Sequence, residues 1–343
     1  MTRVVRDLCA AVADLTGPPT GRERLEATGR LVALASILVA GAWLYWGLPL
    51  GPAALAGLVV AGVAYALLLI ATHELVHGTL LGWCRVEGSL GCLLSWPMAW
   101  PFLTYSRLHH LHHRWNGRDP RDPERTEVLP QEWDGGSRWH RLWQHHQLLL
   151  RCGLLGGLGL IADTARKGWQ LRALDRSLLR SQILDGAGVV LLHSALLVPV
   201  LWHGQLWRYL LFWLVLERVI GAIVQARGLV EHHGLWRNHG GHLLTQLYAT
   251  RNVAAGGWLN ALMGGLPHHS AHHAFPWIPT PRLPEATARI TAVLANHGLP
   301  ALPAADSYGA ALRELVQDKE DGIPNNLAQS RQRSHRPRPL NRV

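Results

Sequence analysis

The sequence predicts an all-α membrane protein: four transmembrane helices with a cytosolic helical cap. Of its 343 residues 48% are hydrophobic, and they lie in long uncharged blocks rather than in the short periodic runs of a soluble core. The chain has 16 Trp against 3 Phe, and Trp favours the membrane interface. Its Arg residues are spread over the polar segments between the apolar blocks, which fits a membrane protein and excludes a concentrated nucleic-acid-binding face.

Four apolar blocks are long enough to cross a bilayer, which takes about 20 residues of helix. We predict the spans at residues 31–50, 52–72, 183–202 and 209–225. The polar residues 1–30 are predicted to be a cytosolic amphipathic lead-in, since they contain no small-residue cleavage site of a signal peptide. Residues 31–320 then form one membrane domain, and residues 321–343 form a disordered basic tail. Glu217 and Arg218 interrupt the fourth block, and we interpret them as a structural ion pair.

Histidine motifs follow the second and fourth spans. The second span ends in His-Glu-Leu-Val-His, so a continuous helix places two histidines four residues apart on one face. The pattern His-x-x-His-His then occurs in two polar segments, and one more histidine follows the fourth span. The nine residues are His73, His77, His109, His112, His113, His232, His269, His272 and His273. Packing alone would leave many of these ring nitrogens without partners, whereas a polynuclear metal site would use all nine.

Two further apolar stretches decide on which side of the membrane these histidines lie. Residues 89–104 are interrupted by Pro97 and Pro101, and residues 148–162 are rich in glycine, so we expect both to lie in the interface. All histidine motifs then fall on the N-terminal side of the membrane. The Arg residues of the same segments predict that this side is cytoplasmic.

A zinc protease is the sharpest alternative. His73-Glu74-Leu-Val-His77 is literally His-Glu-x-x-His, which supplies two zinc ligands and a general base in metalloproteases. Asp185, followed by Gly186, resembles the third ligand of intramembrane proteases. That reading leaves seven of the nine histidines without a role. A membrane metal carrier or sensor is weaker still, because transport favours polar groups inside the spans.

The order of the motifs resembles the integral-membrane fatty acid desaturases and their relatives, the alkane 1-monooxygenases and carotenoid ketolases. The resemblance covers roughly residues 30 to 290. It rests on HELVH, on HHLHH followed by Asn116 and two Asp-Pro pairs at Asp119 and Asp122, on Glu231-His232, and on HHSAHH followed by Phe-Pro-x-Ile-Pro. The combination of these boxes is far more specific than any one of them.

The resemblance implies a membrane desaturase-like domain whose cap carries a histidine-rich di-metal site. Two non-haem irons held by the nine histidines would activate O2, and the enzyme would be an oxidoreductase acting on a lipid or fatty acyl substrate. The chain has neither rubredoxin-type cysteine pairs nor a His-Pro-Gly-Gly haem motif, so electrons would come from a separate donor of the ferredoxin, rubredoxin or cytochrome b5 type. The residues expected to hydrogen-bond to the ligand side chains and fix their orientation are Glu74, Asn116, Asp119, Asp122, Glu231 and Asn252.

We expect a desaturase that introduces a double bond into the acyl chain of a lipid. The alternative is a hydroxylase or monooxygenase of alkyl or acyl chains, because the last box, with Pro267 before it and Ala271 within it, is closer to the hydroxylase form. The sequence also leaves open whether His232 or His233 is the ligand. We expect a multi-pass protein of a bacterial inner membrane, with its active site on the cytoplasmic side.

Overall fold

A computed structural model describes residues 2–127, 142–143 and 146–320 of the chain. This part is almost entirely helical, which confirms the predicted all-α fold class. Its α-helices are α1 (Arg3–Val12), α2 (Gly21–Gly47), α3 (Pro52–His77), α4 (Cys84–Ser95), α5 (Phe102–Trp115), α6 (Gly156–Leu171), α7 (Ser177–Trp202), α8 (Leu206–His232), α9 (His242–Tyr248), α10 (Gly257–Leu262), α11 (His269–Ala274), α12 (Leu283–Asn296) and α13 (Tyr308–Glu320). Two short strands, β1 (Asn252–Val253) and β2 (Ala304–Ala305), pair in parallel. The predicted tail, residues 321–343, lies outside the described residues.

Four of these helices, α2, α3, α7 and α8, overlap the four predicted spans and are 26 or 27 residues long. Large apolar side chains such as Trp43, Val190 and Trp207 are exposed on them, as expected where a helix faces lipid. Helix α2 begins before the predicted first span because Thr20 and Glu23 form a capping box. The Thr20 hydroxyl accepts the Glu23 N–H (3.3 Å), and the Glu23 carboxylate accepts the Thr20 N–H (2.7 Å).

A fifth stretch, His146–Leu171, is also long and apolar enough to cross a membrane by length and composition. It is broken at Gly156, where a π-helical segment ends and α6 begins with a positive φ of 53°. The Arg218 guanidinium donates to the carbonyls of Leu154 (2.5 Å) and Leu155 (2.8 Å) on one side of the break. The Glu217 carboxylate accepts hydrogen bonds from the backbone N–H groups that follow the break, among them that of Gly157 (3.0 Å). The charged pair of α8 therefore caps both halves of the broken helix.

Helix α3 lies at the centre of the fold because its small residues admit close neighbours. A Cβ on Gly41 of α2 would lie 2.4 Å from the Gly57 carbonyl oxygen, and one on Gly62 would lie 2.9 Å from Val219 of α8. This packing brings the C-terminal ends of α3 and α8 to the same side of the molecule. Helix α3 ends at Gly78, which adopts the left-handed conformation (φ 66°) that favours glycine.

The short elements of the cap are held by buried polar contacts. Asp185 of α7 accepts hydrogen bonds from the Thr104 N–H and hydroxyl (both 2.8 Å) at the start of α5. Asn252 of β1 accepts the N–H of Ser270 (2.9 Å) in α11. Helices α1 and α12 pack together through Leu8 and neighbouring apolar residues and cover α11. These contacts place α5 and α11 beside the ends of α3 and α8.

Candidate metal centre

The nine predicted histidines converge, although they come from four separate helices. Helices α3 and α8 contribute histidines at their C-terminal ends, and α5 and α11 contribute three each. The ring centroids of His73 and His272 are 4.5 Å apart, and those of His113 and His273 are 4.2 Å apart and stacked. All nine are buried except His77, which is partly exposed. A histidine cluster of this size in the interior needs a chemical explanation.

The ligand atoms form three groups within which they lie no more than 4.8 Å apart. Two consist of histidines alone, and the third is Glu231, His232 and His269. The first group is His73, His77, His109, His113 and His272, and the second is His112, His232 and His273. His269 joins the second group through His232, since their Nε2 atoms are 2.9 Å apart. Neither His233 nor the other neighbouring histidines, His110 and His268, belong to either group. The two histidine groups therefore define two adjacent candidate metal positions.

Most of these rings carry a buried nitrogen that has no hydrogen-bond partner in the described part of the chain. The clearest cases are His73 and His272, in which both ring nitrogens are without one. Burial lowers the pKa of His113, His269 and His273, so these imidazoles are neutral and keep a lone pair at neutral pH. Neutral, desolvated imidazoles are the form that binds metal ions. The nine residues thus fit a pair of metal ions.

Two carboxylates orient histidines of α5. Asp122 Oδ1 lies 2.8 Å from His112 Nδ1, and Glu124 Oε1 lies 2.7 Å from His109 Nδ1. Burial lowers the pKa of His112, but the Asp122 charge beside it raises that pKa further, to a net increase. Burial raises the pKa of Glu124, whereas the nearby His109 lowers it to well below its usual range. Both contacts leave Nε2 of the ring directed at the metal positions.

Sequence reasoning missed Glu124, although it lies two residues after Asp122 in the same short segment. It also missed Gln246, which is fully buried in α9. Gln246 Oε1 is 3.0 Å from Nδ1 of His273, and its amide donates to the Asn116 carbonyl (3.1 Å). Asn116 therefore contacts the site through Gln246, and a lone glutamine in a short helix carries no sequence signal for such a role.

The remaining predicted residues have other partners. Asn252 accepts the N–H of Ser270 and so positions the backbone of α11. The Glu74 carboxylate contacts Arg30 (2.6 Å) and the Thr280 hydroxyl (2.5 Å), so it orients no histidine here. Asp119 pairs with Arg121 at 2.6 Å near the surface. Glu74 and Asn252 thus have partners that are distant in the sequence, whereas Asp119 pairs with a near neighbour.

Glu231 lies at the edge of the second metal position. Its carboxylate pairs with Arg227 (2.8 Å), accepts the hydroxyl of Tyr308 (3.0 Å), and lies 3.4 Å from His269 Nε2. It is 1% exposed. Among the described residues, Glu231 is the only carboxylate predicted from the sequence that belongs to a group of potential metal-ligand atoms.

Two residues that the zinc-protease alternative requires have other partners in the structure. Asp185, its third ligand, is bound by the indole of Trp96 (3.0 Å) and by the start of α5, and it is absent from the metal-binding groups of the described residues. Glu74, its general base, is held by Arg30 and Thr280. The His-Glu-x-x-His motif therefore supplies two histidines to the larger cluster and no protease site.

A cavity of about 870 Å³ adjoins the histidines. Apolar side chains, among them Leu69, Leu160 and Val224, line its part between α3, α6 and α8, and His73 and His109 face the same space. Toward the cap it is lined by charged groups that include Arg151 and Lys167. The volume and the mixed lining suit a molecule with an apolar chain and a polar end.

A comparison with protein-family models places this geometry in a known context. The model described as fatty acid desaturase matches residues 50–303 of the 343, which include all nine histidines and both carboxylates that orient them. The chain is an integral membrane oxidoreductase and a member of the fatty acid desaturase family.

Proposed function

We propose that this protein is an O2-dependent di-iron desaturase that introduces a double bond into the acyl chain of a membrane lipid. The observation that carries the proposal is the cavity, whose apolar part leads directly to the two groups of histidines. Iron is the metal we propose because imidazole suits it and because nine ligands exceed what one zinc ion takes. Two bound irons would supply the activation of O2 and the removal of hydrogen from an unactivated C–H bond.

The protein's own residues would position the acyl chain. Leu69 lies one helical turn before His73 in α3, and Val224 lies about two turns before His232 in α8, so the apolar part of the cavity extends about 12 Å from the second metal position along α8. The terminal methyl group would enter this part. A carbon further along the chain would then lie beside His73 and His109, held there by packing.

The charged part of the cavity favours an acyl substrate over an alkane. Arg151 faces the cavity and contacts the ring of Trp143 (5.7 Å), and no ion pair joins it to a carboxylate of the described residues. Lys167 lines the same wall, where Asp163 pairs with it at 2.5 Å. A carboxyl, ester or phosphate end of a lipid would find hydrogen-bond donors here, whereas an alkane would leave these groups unused.

The test is mass spectrometry of lipids and hydrocarbons from cells that express the intact protein together with a ferredoxin system. Cells that express His272→Ala serve as the control. A new double bond that appears only with the intact protein supports the proposal and gives the position of attack. A new hydroxyl group would instead assign the protein to the hydroxylases with the same metal site. An unchanged lipid profile in cells whose protein contains two irons would refute both.

We further propose that the histidines face the cytoplasm and that His146–Leu171 enters and leaves the membrane on that side. Its break at Gly156 lies against Gly221 of α8, while Lys167 of α6 contacts the carbonyl of Pro123 beside the metal centre. Both ends of the stretch would then lie at the histidine side, because a broken helix capped by Glu217 and Arg218 tolerates such a turn.

Cysteine labelling in intact bacteria tests this topology. We expect Gly204→Cys, between α7 and α8, to react with a membrane-impermeant maleimide from outside. Arg172→Cys, between α6 and α7, should react only after the cells are permeabilised. Both variants would be made after replacement of the four native cysteines by Ser or Ala. Labelling of Arg172→Cys in intact cells would show that the stretch crosses the membrane or that the orientation is reversed.

A further inference from the structure

Exposed cationic side chains form one continuous face over the end of α5 and the segment before α9. This basic face consists of Arg114, Arg118, Arg121 and Arg237, and His242, whose pKa is lowered by burial and by Arg118, lies beside them. Arg118 Nη1 lies 3.4 Å from His242 Nδ1, and the Arg121 guanidinium lies 5.0 Å from the centre of the Trp115 ring. A Cβ on Gly117 would lie 2.8 Å from the carbonyl oxygen of Arg237, so the two segments are in contact.

The positive charge of the basic face is largely uncompensated. Asp119 is its one carboxylate among the described residues, and it pairs with Arg121 at 2.6 Å. In residues 2–127, 142–143 and 146–320, no carboxylate lies within ion-pair distance of Arg114, Arg118 or Arg237. A cluster of unpaired cations raises the local concentration of acidic partners and their association rate.

Hydrogen bonds connect the segment that carries the basic face to two histidines of the second group. The N–H of Asn116 donates to the carbonyl of His112 (2.7 Å), and Gln246 links the Asn116 carbonyl to His273. Trp115 follows His112 by three residues, which is about 4.5 Å along the axis of α5. His113, of the other metal position, is on the same helical turn. The half-buried Trp115 and the buried Asn116 and Gln246 therefore lie between the basic face and the ligands.

The composition of the basic face suits a soluble protein better than a lipid surface. Large apolar side chains are exposed on α2, α3, α7 and α8, but none is exposed in residues 94–127 or 215–257. Binding in the membrane interface normally uses such side chains together with basic ones. A face of exposed Arg without apolar anchors is typical of transient docking between proteins of opposite charge.

We propose that the basic face is the docking surface for an acidic, one-electron donor protein and that electrons enter the metal centre through the Trp115 and Gln246 layer. The inference rests on the proposed function, in which removal of two hydrogens from the acyl chain and reduction of O2 to two waters need two further electrons and two protons. Two successive one-electron deliveries at this surface supply the electrons, and water supplies the protons.

The experiment uses the iron-loaded protein in detergent with a plant-type [2Fe–2S] ferredoxin as the probe. We expect Arg118→Glu/Arg237→Glu to weaken ferredoxin binding by about tenfold or more at low ionic strength and to flatten its dependence on salt, since rim charges act mainly through association. Product formation driven by ferredoxin should fall by a similar factor. Turnover driven by dithionite should stay within about twofold of that of the unmodified protein, because the metal ligands are untouched.

Arg313→Glu/Arg85→Glu is the matched control, because it reverses two charges at exposed positions on α13 and α4. Equal ferredoxin affinity for the control and the Arg118→Glu/Arg237→Glu variant would overturn the docking proposal, whether or not the protein turns over. An equal loss with both reductants that anionic phospholipid vesicles restore would assign the face to lipid instead and overturn it too. Absence of product with either reductant, with salt-dependent ferredoxin binding intact, would refute the proposed function but not the docking surface.

Discussion

Replacement of His272 by Ala is expected to reduce the iron content from two ions per chain to about one and to abolish lipid oxidation. His272 is fully buried, and both of its ring nitrogens lack hydrogen-bond partners among the residues that the structure describes. Its ring lies within 4.9 Å of those of His73, His77 and His113. Loss of an outer-shell partner alone costs metal sites about 10- to 100-fold. A lost ligand should therefore lower the product yield by more than about a hundredfold, measured beside iron content by plasma mass spectrometry.

His268→Ala is the matched control, because it removes a neighbouring imidazole from the same box. His268 Nδ1 contacts the Thr287 hydroxyl (3.1 Å), and the residue is outside both groups of ligand nitrogens. We expect this variant to keep two irons and most of its activity. A His272→Ala protein that retained two irons and full turnover would show that the ligand assignment is wrong.

Replacement of Glu74 by Ala is expected to destabilise the protein strongly without removing a metal ligand. Glu74 and Arg30 form a salt bridge in which both side chains are nearly inaccessible, 2% and 9% exposed. Removal of the carboxylate leaves the Arg30 charge buried without its partner, which costs about 3–5 kcal/mol. Denaturant unfolding in detergent should show this loss, while the remaining folded, iron-loaded protein should retain its activity per iron.

The double variant Arg30→Met/Glu74→Leu separates this role from a catalytic one. Replacing both charges by apolar groups of similar size is often close to neutral, so we expect most of the lost stability to return. Activity per iron should again match that of the unmodified protein. A double variant that is stable and carries two irons, yet is inactive, would mean that the Glu74 carboxylate takes part in the chemistry.

The sequence by itself determined the features that are local in the chain. Span length follows from the number of consecutive apolar residues, and the shared face of His73 and His77 follows from the helical repeat. The order of the histidine boxes was sufficient to indicate the family that the comparison then established. Asp122 was proposed as a partner of the ligands because it follows the second box within nine residues, and its carboxylate lies 2.8 Å from His112. The spans, the shared helical face and Asp122 needed only residues close together in sequence, whereas the family needed the order of boxes from His73 to His273.

Tertiary structure alone decided which groups meet across long separations. From its position beside His73, Glu74 was predicted to be a metal-site carboxylate. In the structure it contacts Thr280, which is 206 residues away in the sequence. The contact between Gln246 and the His273 ring likewise depends on how α9 and α11 pack. The grouping of the nine histidines around two candidate metal positions has the same cause, and so has the break at Gly156 beside Arg218. Packing in three dimensions decides which buried polar groups find partners, and the local sequence pattern does not encode it.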